Sequence, residues 1–125
     1  MPHNSVDPMV LDSSIVLKPQ IIVSRETRPG QFAVLTVGAL NADSAANIIL
    51  DRAQLLLYIR TYDVALRQHI IDSIARMMPG KCQAAGSPQE PDFEFYDQFP
   101  LTGNDTVADD RVTKAFEAHF DQSQV

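Results

Sequence analysis

The sequence predicts an α+β fold, an N-terminal antiparallel β-hairpin packed on a helical pair, with a C-terminal amphipathic helix. Three observations predict it. β-branched residues concentrate between Ser14 and Val37. A long aliphatic stretch with helical spacing follows, from Ala45 to Met78. Near the end of the chain Val112, Phe116 and Phe120 recur at four-residue spacing, which places them on one side of a helix.

Residues 1–13 read as an extended lead-in, because Pro2 and Pro8 limit regular structure. Ile15-Val-Leu17 and Ile21-Ile-Val23 are β-branched runs separated by Lys18-Pro19, a bend or a sheet edge. Arg28-Pro29-Gly30-Gln31 has the residues of a type II turn: Pro presets φ at the second position and Gly accepts a positive φ at the third. Phe32–Val37 continues as a strand, so the hairpin is expected over Pro19–Leu40.

Asn41, Asp43 and Ser44 offer side-chain oxygens as helix caps, and Pro79-Gly80 closes the aliphatic stretch. Val64, Leu66, Ile70, Ile71, Ile74, Met77 and Met78 share one face, but the stripe loses phase near Arg60–Asp63. Two helices are therefore expected, roughly 44–59 and 62–78, the second capped by Thr61. Leu55–Ile59 is apolar on every side. It is buried all round, packed against another chain, or a strand; the preceding caps and Ala45-Ala46 favour helix. Residues 81–91 read as an internal linker, and 92–125 as an acidic aromatic segment plus a helix capped by Asp105 or Thr106. The whole, 1–125, is expected to form one domain.

All of the net charge of −6 sits in the last third: residues 80–125 carry nine acids against three bases, and five of the six Phe residues. Such a balance disfavours binding to nucleic-acid phosphates. The single cysteine, Cys82, excludes an internal disulfide and a cysteine-rich zinc site. The first residues lack the basic start and apolar run of a signal peptide, and no apolar run is long enough to span a bilayer. A cytoplasmic location without membrane attachment is the expectation.

No catalytic motif stands out. His69 lies three residues before Asp72, a pairing common on helix surfaces, and His119 with Asp121 does not have a helical zinc-binding spacing. Lys81 beside Cys82 could lower the thiol pKa, although a lone cysteine in a connector is the simpler description. Gly-rich phosphate loops and a Gly-x-Ser-x-Gly elbow are absent. Asp109 and Asp110 lack the ligand spacing of a calcium loop and suit the first turn of a helix. Neither a cofactor nor a metal is expected.

Arg67 falls within the apolar face four residues after Asp63, which predicts a structural Asp63–Arg67 ion pair. Arg52 and Arg60 read as a polar edge. The segment from Phe93 to Phe99 interleaves rings with carboxylates, and Phe93, Glu94, Phe95, Tyr96, Asp97 and Phe99 are expected to contact a protein partner with a basic surface, aided by Asp109 and Asp110. The leading expectation is a non-enzymatic interaction module: a small acidic adaptor, inhibitor or assembly subunit, acting as a homodimer or within a larger assembly. The alternative is a small-molecule-binding domain or minor enzyme whose pocket, between hairpin and helices, uses Arg67 and His69. A third is a nucleic-acid mimic.

Overall fold

Asp7-Pro8 starts the first helix. In the computed structural model, which describes residues 5–42, 48–49 and 51–120, α1 runs over Pro8–Val16 with Asp7 as its cap. The Asp7 carboxylate accepts the backbone N–H groups of Met9 and Val10, and Pro8 occupies a first-turn position where no N–H is needed. Pro19 repeats the device for the one-turn helix α2 (Pro19–Ile21), which passes into a π-helical turn over Ile22–Glu26. From Pro8 onward the expected extended lead-in is thus helical, as is the expected first strand of the hairpin, while Pro2 falls outside the described residues. Ile15 and Ile22 are buried there, so tertiary packing overrides their β preference, and Pro19 is buried beside them.

The turn at Arg28–Gln31 forms as the residues require, with Gly30 at φ +89° and the Gln31 N–H donating to the Arg28 carbonyl at 3.1 Å. It leads into β1 (Ala33–Asn41), which pairs antiparallel with β2 (Gln54–Thr61). The register runs from Ala33 opposite Thr61 to Asn41 opposite Gln54, with an irregularity between Val37 and Ala39 at Gly38. The hairpin therefore lies later in the chain than Pro19–Leu40. Within the helix expected over 44–59, residues 54–59 belong to β2, the strand alternative for Leu55–Ile59. Of its expected caps, Asp43 and Ser44 fall outside the described residues.

Asp63, rather than Thr61, caps α3 (Val64–Ala84), accepting from the N–H groups of Ala65 at 2.8 Å and Leu66 at 3.1 Å. Thr61 instead accepts from the Asp63 N–H. Leu66, Ile70, Ile74, Met78 and Cys82 form the buried stripe. Pro79 lies inside the helix and Gly80 does not end it, so part of the expected linker 81–91 is helical. The end comes at Gly86, φ +72°, with the Ser87 N–H donating to the Cys82 carbonyl. A Gly86→Ala substitution is expected to cost about 1 kcal/mol, read as a lower urea midpoint, because the left-handed backbone strains any Cβ.

α3 covers one face of the sheet, and α1 with the π turn closes the side. The core comprises Ile15, Ile22, Leu35, Leu66, Ile70, Ile74, Met78 and Cys82, with Leu55, Leu57 and Ile59 packed against it. The α+β class and the C-terminal helix are as expected. α4 (Thr106–His119) is capped by Asp105, whose carboxylate accepts the Ala108 N–H at 2.9 Å. None of its residues is buried. Among the described residues no helix is long and apolar enough to cross a membrane.

Candidate functional site

Strand alternation divides the sheet into two unlike faces. Leu35, Leu57 and Ile59 point to the core. Phe32, Val34, Thr36, Tyr58, Arg60 and Tyr62 alternate with these, and all of them but Val34 are exposed. At the end of that face Phe32 and Tyr62 stack with ring centroids 4.7 Å apart, and both remain exposed. Tyr58 is also exposed, and Arg60 lies between Tyr58 and Tyr62 in the alternation. Among the described residues Arg60 makes no ion pair. An exposed guanidinium on the same sheet face as aromatic residues is suited to a carboxylate joined to an apolar group. Arg60 was expected to be only a polar edge; the i, i+2, i+4 spacing of Tyr58, Arg60 and Tyr62 is the signal that could have found the platform.

A second polar cluster joins elements distant in sequence. The Glu26 carboxylate, delivered by the π turn, accepts from Ser73 Oγ at 2.8 Å and from Arg76 Nη2 at 3.1 and 2.9 Å. His69 Nε2 lies 3.7 Å from the same group. The Ser73 hydrogen bond, followed by the Arg76 guanidinium and His69, holds the Glu26 carboxyl below its ordinary range, although partial burial opposes this. Ser73 is only 2% exposed, so this carboxylate satisfies an otherwise orphaned core hydroxyl. The arrangement clamps the π turn to α3.

The structure does not form the expected Asp63–Arg67 pair. Asp63 is committed to the helix cap, and Arg67 Nη2 donates to Gln98 Oε1 at 2.7 Å. Arg67 and His69, two residues apart on α3, serve different partners, so they do not converge on one pocket as the small-molecule alternative required. Asp72 accepts from Gln68 rather than pairing with His69. Cys82 is buried, and burial, with Asp12 and Glu90 nearby, pushes its thiol up, opposite to the activation expected from Lys81. Among the described residues no group of three or more His, Cys, Asp or Glu side chains is placed to hold a metal.

The acidic aromatic segment crosses the surface without regular secondary structure. Phe93, Phe95, Tyr96 and Phe99 are exposed, Phe99 at 80%, and Glu94 and Asp97 are exposed among them. Asp109 and Asp110 occupy the exposed start of α4. These rings are not core residues.

No protein-family model matches the chain. Comparison with curated proteins does find relatives. The chain is 39% identical over 70 residues to the N-acetyl-L-cysteine deacetylase of Bacillus subtilis, covering 56% of this chain and 17% of that protein. It is 30% identical over 95 residues to the N-acyl-L-amino acid amidohydrolase of Geobacillus stearothermophilus, covering 76% of this chain and 26% of the relative. It is 35% identical over 83 residues to the hippurate hydrolase of Campylobacter jejuni, covering 66% and 22%. The matches span about a quarter or less of these relatives' lengths. They overturn the expectation of a non-enzymatic adaptor, inhibitor, regulator or assembly factor, because the relatives are hydrolytic enzymes. Exposed rings and clustered carboxylates had suggested partner binding, but an exposed segment of an enzyme has the same composition.

Proposed function

We propose that this chain forms part of a hydrolase that cleaves the amide bond of N-acyl amino acids. The observation that carries this reading is the similarity, over more than half of the chain, to a deacetylase, an amidohydrolase and a hippurate hydrolase. The open face of the sheet supports it. An N-acyl amino acid has a carboxylate at one end and an acyl group at the other. Arg60 would hold the carboxylate by paired N–H···O bonds, and the Phe32–Tyr62 stack would receive an apolar acyl group. In this reading the chain contributes binding and orientation, and the groups that break the amide bond come from the remainder of the enzyme.

Exchanging the matched segment of the Bacillus subtilis deacetylase for the corresponding residues of this chain tests the reading. The folded chimera is expected to release acetate from N-acetyl-L-cysteine. An unrelated segment of equal length is expected to give no activity. In the active chimera Arg60→Gln should raise KM about tenfold, the loss of a charge-assisted hydrogen-bonded contact, with kcat changing less. A chimera with native-like circular dichroism and no hydrolysis would refute the hydrolase reading. An active chimera with an unchanged KM on Arg60→Gln would remove Arg60 from it.

A further inference from the structure

The stacked rings of Phe32 and Tyr62 lie just beyond the paired residues of the sheet, which end at Ala33 and Thr61. Both side chains are exposed, so burial in a core does not hold them together. What flanks them is fixed on a single element, α3. Tyr62 adjoins Asp63, whose carboxylate caps the first turn of that helix. Phe32 follows a short connector, residues 27–31, that is braced by its own hydrogen bonds. The Thr27 hydroxyl donates to the Ile22 carbonyl at 3.1 Å, and Ile22 is fully buried. Across the turn the Arg28 N–H donates to Gln31 Oε1 at 3.2 Å, and the Gln31 N–H donates to the Arg28 carbonyl at 3.1 Å. Pro29 and the positive φ of Gly30 leave this turn little freedom. The connector begins at Glu26, which the Ser73 and Arg76 bonds tie to the middle of α3. Two arms thus leave one helix and meet at the ring stack.

We propose that Glu26 is a positioning residue: its bonds to Ser73 and Arg76, carried through the braced connector, hold the Phe32 ring against Tyr62. They thereby keep the end of the sheet face that receives an acyl group in shape. The contact energy of one exposed aromatic pair is smaller than the entropy cost of ordering the connector, so the anchor at Glu26 decides whether the stack persists. The choice of ligand rests on the hydrolase reading. The ring geometry does not.

Ring-to-ring NOEs between Phe32 and Tyr62, measured in the full chain, test the coupling directly. Glu26→Ala should lose them. Glu26→Gln keeps an acceptor for Ser73 and should retain them. Arg76→Ala removes an anchor whose side chain is 65% exposed; it should weaken the NOEs, and it carries the test if Glu26→Ala does not fold. Gly86→Ala strains the backbone just past the other end of α3 and should leave the NOEs intact, which separates positioning from a general loss of stability. Binding gives a second measurement. Hippurate has a carboxylate and an aromatic acyl group, whereas N-acetylglycine has the same carboxylate and only a methyl. In Glu26→Ala hippurate should bind about fivefold more weakly, equivalent to about 1 kcal/mol for one lost aromatic contact, while N-acetylglycine binds as before. Persistence of the ring NOEs in the Glu26→Ala and Arg76→Ala variants that fold would overturn the proposal, as would an equal loss in Gly86→Ala. Hippurate that perturbs neither Arg60 nor Tyr62 in the unaltered chain would instead remove the substrate reading of this face, with the NOEs still deciding the role of Glu26.

Discussion

Ile70→Ala is expected to destabilise the fold by about 3–4 kcal/mol, the middle of the range for buried isoleucine truncations. Ile70 is fully buried, at the middle of the stripe Leu66, Ile70, Ile74 and Met78. It sits where α3, the sheet and the N-terminal helices meet, so a cavity there removes contacts with several elements at once. Partial collapse would lower the cost, but among the described residues the sheet behind it has two strands and the core is small. Domains of this size are stable by about 5–15 kcal/mol, so the loss is a large share of the total. Urea unfolding should show a lower midpoint with an unchanged slope. Val64, on the same helix but 72% exposed, provides the control: Val64→Ala should stay within about 0.5 kcal/mol. A shift below about 1 kcal/mol for Ile70→Ala would mean that α3 does not anchor the core.

The stripe on α3 was legible because helical periodicity is a local signal written over many residues. The turn at Arg28–Gln31 was legible for a similar reason: Pro and Gly impose backbone angles whatever surrounds them. Ile15 and Ile21–Val23 were not. Their β-branched side chains favour strands, yet Asp7-Pro8 and Lys18-Pro19 each place a proline where a helix can begin. Packing of Ile15 and Ile22 on α3 then decides the matter. The same bias toward proline as a breaker ended the expected helix at Met78. The true stop signal was Gly86, whose positive φ the C-terminal turn needs.

The functional features were harder to read for a physical reason. Glu26 and Arg76 are 50 residues apart, and neither periodicity nor spacing announces that they meet. Arg60 could have been placed with Tyr58 and Tyr62 had residues 54–61 been read as a strand, since period two puts them on one side. Reading the segment as helix scattered them. The exposure of Phe95, Tyr96 and Phe99 agrees with the pattern of rings among carboxylates. Exposure alone does not distinguish an adaptor from a surface of an enzyme, and here the relatives decide against the adaptor. The similarity to hydrolytic enzymes is carried by no short motif in these residues, so composition could not reveal it.

Removing the Glu26 carboxylate should produce the second large loss and a change in pH dependence. In Glu26→Ala the Ser73 hydroxyl, 2% exposed, loses its acceptor, and Arg76 loses both oxygens. Leaving such a buried donor unsatisfied costs about 1–3 kcal/mol, less if Ser73 turns back to a carbonyl of its own helix. Ser73→Ala in the same background should then restore part of the loss, because both partners of the hydrogen bond are gone. The sign of the pH effect follows from the lowered pKa of Glu26. Its stabilising contribution is complete above the unfolded glutamate range, near 4.5, and is lost as pH falls through the lower folded value. Asp12 works in the opposite direction: burial raises its carboxyl above the usual range, so its charged form opposes folding and acidification relieves it. Stability measured by urea unfolding should therefore fall on acidification below about pH 4.5 in the unaltered chain. Asp12→Asn should steepen that fall, and Glu26→Gln should flatten or reverse it. An unchanged acid profile in Glu26→Gln would show that the clamp between the π turn and α3 does not depend on charge.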